Sequence, residues 1–359
     1  MNLDRMKKLS RNSSIELLRI FLILGVIILH YVGDSGLLLN NVRGGTPIYY
    51  FIIFTNSLCV CAVDVFVIIS GFYMCESNKL SIRKPIQLIV EVIFFQLLLS
   101  VGGAILKGKN YSVSDFVYNF VPKNYYVMLY ISLMIVSPFL NVLVRSLSKN
   151  NYRKMLIVLS ALFLVQPTFA DIIEGIYGGT IYGISTIGIL GAEWGYTIVT
   201  FVCLYLLAAY IKKYGSFWPK HWNIIIYFTS LCVIFAWKII ELNIGRSIGA
   251  EHYMNPVLII NALSTFEIFR KHDFKSKIIN FTSRGCFTVF ILHSYFIKYF
   301  KLTEYLNDNI ILFALRFISY VVIIFILCDL GGIIYCFIEK AIFDIVEKKM
   351  GFYNIKLSD

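Results

Sequence analysis

The chain has 359 residues, of which 58% are hydrophobic and only 15% are charged. Soluble domains are nearer half apolar and a quarter charged, so this composition and the mean hydropathy of +0.74 exclude an ordinary soluble protein. The formal net charge is +12, but the cations lie in short segments between long apolar runs. That pattern is typical of a membrane protein and excludes a basic nucleic-acid-binding surface.

Ten apolar segments are long enough to cross the ~30 Å hydrocarbon core of a lipid bilayer as helices. They are 15–33, 48–73, 84–106, 125–146, 154–170, 196–212, 222–241, 254–270, 285–300 and 309–338. With the N-terminus inside, lysine and arginine favour the inner connecting segments by about three to one. We therefore predict an all-α polytopic membrane protein with ten transmembrane helices and both termini in the cytoplasm.

The domain organisation is expected to be simple. No internal repeat or flexible linker divides the chain, so residues 1–359 are predicted to form one transmembrane domain. Segments 1–14 and 339–359 are expected in the cytoplasm, with no appended soluble domain. The eight cysteines lie in or beside apolar runs, which predicts buried free thiols with neither a disulfide framework nor a metal site.

The first segment contains two ionisable side chains, Arg19 and His30, eleven residues apart. At about 100° per residue, eleven helical steps return to within ~20° of the starting direction, so both lie on one face, ~16 Å apart along the axis. Glu16 lies one turn before Arg19, close to the same face. Such a line of ionisable groups is costly in a bilayer unless it faces protein or water, so it predicts a functional site. The alternatives are snorkelling of Arg19 and a hydrogen-bonded structural imidazole at His30.

The predicted depths of these two residues suit an extended ligand. Arg19 is expected near the cytoplasmic surface, where a guanidinium suits a phosphate group. His30 is expected in the outer half of the membrane, where a protected imidazole suits a general base that activates a hydroxyl. A ligand that touches both has to extend about 16 Å, which is about the length of a phosphopantetheine arm.

A buried carboxylate is expected in the second segment, where Asp64 lies at mid-depth. An aspartate there needs a partner, and the candidates are His30, His293 and Arg19. His293, within CFTVFILHSYF, is expected near the same depth, as are Glu91 and Asp329. For each of these three a structural hydrogen bond remains an equal alternative to catalysis.

Small and basic residues meet at the predicted cytoplasmic end of the second segment. Ser70 and Gly71 are followed by Arg83 and Lys84. Backbone N–H groups and two cations together suit a phosphate site. Small residues also serve close helix packing, which is the alternative for the Ser-Gly pair.

The longest outer segment is predicted from Asp171 to Trp194. It is rich in glycine and tyrosine and contains Glu193, without any lysine or arginine. One interpretation is a loop that shapes an acceptor site, with Tyr177, Tyr182 and Trp194 as stacking surfaces. The alternative is an interfacial loop whose aromatic side chains form part of the membrane belt.

In sequence, these segments resemble the acyltransferase type 3 family of integral membrane O-acyltransferases. ELLRIFLILGVIILH is similar to the family's first-helix signature, an arginine followed by ten residues and a histidine, which Arg19 and His30 match. Four later segments resemble the family in the same order: VDVFVIISGFYM, NYYVMLYISLMIVSPFLN, EWGYTIVTFVCLYLLAAYIKKYG and CFTVFILHSYF. Many members have Asp-Gly-Leu-Arg where this chain has ELLR, and tryptophan is frequent where it has Tyr125. Tyr126 is a further candidate site residue.

The resemblance implies a bacterial multi-pass enzyme of the plasma or inner membrane. Its acetyl donor would be cytoplasmic acetyl-CoA, bound as a substrate and not as a permanent cofactor. The acceptor would be a hydroxyl of a cell-surface polysaccharide or its lipid-linked oligosaccharide precursor. The lipid bilayer is the other expected partner, nucleic acid is not one, and the oligomeric state is left open.

The site predicted on this basis has a catalytic and a donor-binding part. The catalytic part comprises His30, Arg19 and Asp64, and the donor-binding part Arg19, Ser70, Gly71, Arg83 and Lys84. Three alternatives remain at this point. One is transfer of another acyl group such as succinyl, and a second is a secondary transporter or glycan flippase, against which the absence of repeats stands. The third is a non-enzymatic membrane subunit.

Overall fold

The computed structural model describes residues 12–34, 37, 42, 44–77, 79–108, 110–180, 193–350 and 354–356. Most of these residues are helical, and we number the helices in chain order. They are α1 Ser13–Asp34, α2 Pro47–Cys59, α3 Ala62–Met74, α4 Arg83–Leu106, α5 Val113–Phe120, α6 Tyr125–Ser146, α7 Lys149–Ser160, α8 Gln166–Tyr177, α9 Ile198–Tyr214, α10 Trp222–Ile244, α11 Pro256–Arg270, α12 Lys277–Thr282, α13 Cys286–Ile297 and α14 Ile310–Met350. A π-helical turn, Ala161–Val165, joins α7 to α8. Strands β1 Lys79–Ser81 and β2 Asn354–Lys356 pair antiparallel.

Within the described residues, seven helical stretches are long and apolar enough to cross a membrane. They are Ser13–Gly33, Pro47–Met74, Arg83–Leu106, Tyr125–Ser146, Lys149–Tyr177, Trp222–Ile244 and Ile310–Ala341. The other three predicted segments form shorter helices, α9, α11 and α13, of 17, 15 and 12 residues. Most of their residues are buried, and a helix enclosed by protein does not have to span the hydrocarbon by itself. The all-α architecture with seven candidate membrane-spanning helices is confirmed for the described residues, whereas the count of ten stays a prediction.

The predicted helix over 48–73 is in fact two helices, α2 and α3, because the chain turns at Val60 and Cys61. This break places Asp64 in the first turn of α3. The N-terminal end of a helix carries a partial positive charge, which stabilises a nearby carboxylate by up to ~2 kcal/mol in a partly buried site. The interruption therefore gives a buried acidic side chain a favourable position that the continuous apolar run does not predict.

Helix α9 occupies the centre of the bundle and packs closely on α3. A Cβ atom at Gly71 would lie 2.9 Å from both the Cα and the O atom of Tyr205, so these two backbones approach as closely as glycine allows. Helix α1 packs against α2, α3 and α13, with Gly25 beside Cys59. The central helices are consequently enclosed on several sides by other helices.

Two ends of the bundle differ in charge. At the end we call the basic end, Ser14 Oγ donates to Phe269 O over 2.8 Å and Asn141 Nδ2 donates to Met74 O over 2.9 Å, which joins α1, α11, α6 and α3. Its described cations include Arg19, Arg83, Lys84, Arg145, Lys212, Lys213, Arg270, Lys271 and Arg284. The opposite end, formed by the connections around α5, before α9, after α10 and after α13, has Lys107, Lys123, Arg246, Lys298 and Lys301 among its described residues. Which end faces the cytoplasm stays a prediction.

Three helices extend beyond the segments predicted for them. Helix α8 continues through Asp171 to Tyr177 and is capped by Gly178, whose φ of 85° is the left-handed conformation that glycine adopts readily. Helix α14 continues past 338 to Met350, into the segment expected to be a tail. Helix α1 begins at Ser13, inside the segment predicted as 1–14, and residues 1–11 lie outside the described residues.

All eight cysteines have free thiols, as predicted. Five of them are buried, and Cys59 and Cys336 are partly buried. Cys232 is exposed on the surface of α10, so the prediction of burial is wrong for that residue.

Candidate active site

A pair of histidine rings lies between α1 and α13. The centroids of the His30 and His293 rings are 4.6 Å apart at an interplanar angle of 62°. His293 is 2% exposed, and its Nδ1 lies 3.0 Å from Val289 O, which can only accept a hydrogen bond. Its Nε2 lies 3.2 Å from Ser294 Oγ. These contacts fit a ring protonated at Nδ1 and hold it in one orientation against His30. We call His30 and His293 the histidine pair.

An aromatic wall connects the histidine pair to α3. The ring of Phe290 is 6.0 Å from that of His293 and 4.9 Å from that of Tyr126, centroid to centroid. Tyr126 lies nearly parallel to Tyr130 at 6.3 Å, and the Tyr130 hydroxyl is 2.9 Å from Ser70 Oγ. Three predicted candidates, Ser70, Tyr126 and His293, therefore belong to one continuous set of contacts.

Asp64 is enclosed without a hydrogen-bond partner in the described part of the chain. Its side chain is 1% exposed, and neither carboxylate oxygen is bonded there. The expected pairing with the histidine pair or with Arg19 is therefore not found among these residues. Asp64 lies in the first turn of α3, where the partial positive charge of the helix N-terminus favours a carboxylate. Hydroxyls within electrostatic range of Asp64 are those of Tyr126, Tyr196 and Tyr253.

Arg19 lies at the basic end and forms an ion pair with Glu16, with an N–O distance of 3.3 Å. The arginine side chain is 37% exposed and that of Glu16 is 8% exposed, so part of the guanidinium faces outward. Cys286, the first residue of α13, is within electrostatic range of both. Helix α1 continues without a break from this ion pair to His30.

The beginning of α4 adds cationic groups at the basic end. Arg83 is partly buried and Lys84 is exposed, and both lie in the first turn. Ile82 precedes them and gives no side-chain cap, so the amides of Arg83 and Lys84 suit an anion, whereas Pro85 in the same turn has no N–H group. Further along α4, buried Glu91 accepts a hydrogen bond of 2.5 Å from Thr288 Oγ1 of α13. This contact matches the structural alternative for Glu91, while a catalytic role stays untested.

Gly71 has a packing role. It lies inside α3, and a Cβ atom there would come within 2.9 Å of the Tyr205 backbone and 3.0 Å of Ala208 Cβ. The backbone N–H of a residue inside a helix is already hydrogen-bonded within that helix and does not point at a ligand. The close approach of α9 therefore explains why this position is glycine. A part in donor binding stays a prediction.

Aromatic side chains are exposed at the opposite end. Trp194 is 69% exposed and Tyr177 is 75% exposed. The Trp194 backbone has a φ of 55°, and its carbonyl accepts a 2.8 Å bond from the Tyr253 amide. Tyr182 and the side chain of Glu193, which were also predicted here, lie outside the described residues.

Sequence reasoning missed Tyr130 and Phe290. Tyr130 follows Tyr126 by four residues and therefore shares its helix face, a spacing that is visible in the sequence. Phe290 precedes His293 by three residues and shares its face in the same way. Tyr196 and Tyr253, whose rings are 4.0 Å apart, lie in connections that are far apart in the sequence, so no local pattern predicts their contact.

The apolar helices and enclosed polar residues define a multi-pass membrane protein with a protected site. A family model described as an acyltransferase domain matches residues 12–332, nearly the whole chain. The protein belongs to the acyltransferase type 3 family and is a membrane acyltransferase. No curated protein and no solved structure matches the chain.

Proposed function

We propose that the protein transfers an acetyl group from acetyl-CoA to a hydroxyl of a cell-surface polysaccharide or its lipid-linked precursor, in a bacterial plasma or inner membrane. The observation that carries this proposal is the unbroken α1, which joins the Arg19–Glu16 ion pair to the histidine pair. The ~16 Å between Arg19 and His30 along the axis suits a phosphate at one and a thioester near the other.

The donor would bind at the basic end, which faces the cytoplasm in this proposal. The partly exposed guanidinium of Arg19 suits a phosphate group through paired hydrogen bonds. Arg83, Lys84 and the uncapped first turn of α4 would bind further phosphate oxygens. Ser70, bonded to Tyr130, would flank the donor's arm on its way to the histidine pair.

The transfer itself would use His30 as a general base. The acceptor oxygen attacks the thioester carbonyl, a C–O bond forms and the C–S bond breaks. His30 takes the hydroxyl proton and delivers it to the departing sulfur, while His293 holds the ring of His30 in place. The aromatic wall would limit access of water to this side of the histidine pair and thereby disfavour hydrolysis of the thioester. Asp64 would act through the Tyr126 hydroxyl, which lies within its electrostatic range.

The acceptor would approach from the opposite end. Exposed Trp194 and Tyr177 offer flat apolar surfaces suited to the faces of sugar rings. The few described cations there match a site for a neutral sugar rather than for a phosphate.

The test is the acetyl content of the surface glycan in cells that lack the gene and carry either the wild type or a variant. Mass spectrometry of the glycan also separates acetyl from succinyl. His30→Ala is expected to abolish the modification, and His221→Ala, an exposed histidine elsewhere, serves as the matched control. Wild-type acetylation in His30→Ala would refute the mechanism.

A further inference from the structure

Three side chains at the opposite end form an ordered series of contacts. Asp171 Oδ2 of α8 lies 2.7 Å from His252 Nδ1. His252 Nε2 lies 3.4 Å from Ser247 Oγ. Ser247 and His252 both belong to the connection between α10 and α11, which packs against α8.

The chemistry of these contacts fixes the role of each nitrogen. A carboxylate only accepts hydrogen bonds, so the proton lies on His252 Nδ1 and points to Asp171. In the neutral ring Nε2 then presents its lone pair to the Ser247 hydroxyl, which is able to donate to it. A carboxylate that orients an imidazole, which in turn accepts from a serine, is the arrangement that activates a serine nucleophile. The 3.4 Å contact is of the length seen at such sites before a substrate binds.

Side chains of α10 hold the connection that carries Ser247 and His252 in place. Glu241 Oε2 accepts from the amides of Ile248 and Ala250 over 3.0 and 3.1 Å. Its other oxygen pairs with Lys238 Nζ over 2.7 Å, and the same ammonium group pairs with Glu251 over 2.9 Å. Because these charged side chains are largely buried, the turn is fixed by a network and not by a surface contact.

Helix α8 holds the connection from the other side. A Cβ atom at Gly175 would come within 2.3 Å of Ser247 O, and one at Gly249, with a φ of 77°, within 3.0 Å of Asp171 Oδ2. Only glycine permits these two approaches. Rigid support of this kind is what a catalytic constellation requires.

Substrate can reach the serine. Ser247 is exposed, and the only other hydrogen bond of its hydroxyl among the described groups is a donation to Glu241 Oε2 over 3.5 Å, so its single proton is directed either to that oxygen, already bonded to two amides, or to His252 Nε2. Arg246, the preceding residue, places its guanidinium beside Gly178 at the end of α8. Exposed Trp194 is bonded through its carbonyl to the residue after His252.

We propose that Ser247, His252 and Asp171 form a second acyl-transfer centre, which acts on O-acyl esters at this end of the protein. The Ser247 oxygen attacks the ester carbonyl, His252 Nε2 takes the serine proton, and the C–O bond to the leaving alcohol breaks as that proton passes to it. A second hydroxyl, from a sugar or from water, then attacks the Ser247 ester. Its proton travels through His252 back to the serine oxygen, so the centre moves or removes acyl groups. Asp171 is the positioning residue.

The test uses the full chain in lipid nanodiscs without acetyl-CoA, so its outcome is separate from that of the transfer proposed above. A fluorophosphonate probe is expected to label the wild type on the peptide that contains Ser247, located by mass spectrometry. Hydrolysis of p-nitrophenyl acetate is expected to fall about 100-fold or more in Ser247→Ala and in His252→Ala. Ser114→Ala, an exposed serine at the same end, should behave as the wild type.

Asp171 requires a readout that loss of structure would not give. Asp171→Asn is expected to lower kcat for p-nitrophenyl acetate with KM unchanged, because the amide can donate to Nδ1 and stabilise the wrong tautomer. Asp171→Glu should restore part of that loss. The absence of probe on the Ser247 peptide of the wild type would overturn the proposal, and so would equal labelling of Ser247→Ala. The wild-type result decides the question even if that variant fails to fold.

Discussion

The histidine pair and His252 are imidazole centres with different neighbours. His293 lies against His30, and its nitrogens contact a backbone carbonyl and the hydroxyl of the next residue. His252 has the Asp171 carboxylate at one nitrogen and Ser247 at the other. The second arrangement activates a hydroxyl of the protein itself, whereas the first suits a hydroxyl brought by a ligand. The neighbours of the ring, and not the ring alone, set its chemistry.

Burial does not separate the two proposed bases, because His30 and His252 are both partly buried. Their neighbours differ in exposure: His30 lies against the enclosed His293, whereas His252 contacts the exposed Ser247. A transfer that has to avoid hydrolysis of a thioester needs a site from which water is excluded. An ester-processing centre has no such need, because water is one of its acceptors.

The largest expected effect separates the two centres directly. His30→Ala should lower glycan acetylation about 10²- to 10⁴-fold, the usual contribution of a positioned base. Fluorophosphonate labelling of Ser247 in the same preparation should be unchanged, because His252 has its own orienting carboxylate. The pair of measurements is made on wild type, His30→Ala and the control His221→Ala. A parallel loss of both activities would show that the two centres are not independent.

The donor end is tested next. Arg19→Ala should weaken acetyl-CoA binding about 10- to 100-fold, since a hydrogen bond to a charged group contributes roughly 1.5–3 kcal/mol. Arg19→Lys should lie between wild type and alanine, because it keeps the charge but loses the planar fork. Isothermal titration with acetyl-CoA measures the affinity. Lys298→Ala, at the opposite end, is the control, and an equal loss there would mean that only overall charge matters.

A substitution in α8 tests the support of the serine centre. Gly175→Ala places a Cβ atom within 2.3 Å of Ser247 O and should displace the turn that carries Ser247. We expect at least a tenfold slower reaction with the fluorophosphonate probe, because misplacement of about 1 Å costs up to about 100-fold in rate. Gly179→Ala, whose nearest neighbour is a Tyr177 ring atom at 3.4 Å, is the control. Acetylation that depends on His30 should be the same in both variants.

Helical periodicity was sufficient to predict the local part of this structure. The eleven-residue spacing of Arg19 and His30 and the position of Glu16 one turn away depend only on the geometry of one helix, and α1 is one unbroken helix. The excess of cations at one end is likewise visible in the sequence, because lysine and arginine cluster between apolar runs.

Contacts between distant segments could not be predicted in the same way. Asp171 and His252 are 81 residues apart, and nothing near either residue indicates the other. The break between α2 and α3 is hidden in a continuous apolar run, so the sequence does not show that Asp64 lies in the first turn of a helix. A Ser-Gly pair followed by cations fits a phosphate site as well as close helix packing, and only the position of α9 shows that Gly71 packs against Tyr205.

The smallest expected effect on donor affinity is that of a substitution at Gly71, which distinguishes a packing role from a binding role. Gly71→Ala would force α3 away from the Tyr205 backbone, and overpacking of this kind costs roughly 1–3 kcal/mol. The midpoint of thermal unfolding should fall, while the affinity for acetyl-CoA at 20 °C should stay within about twofold of wild type, since ~0.4 kcal/mol corresponds to a factor of two. Gly103→Ala, in open space on α4, should leave the unfolding midpoint unchanged or raise it, because alanine favours the helix. If Gly71→Ala instead lost affinity for acetyl-CoA without losing stability, the result would support a role of Gly71 in donor binding.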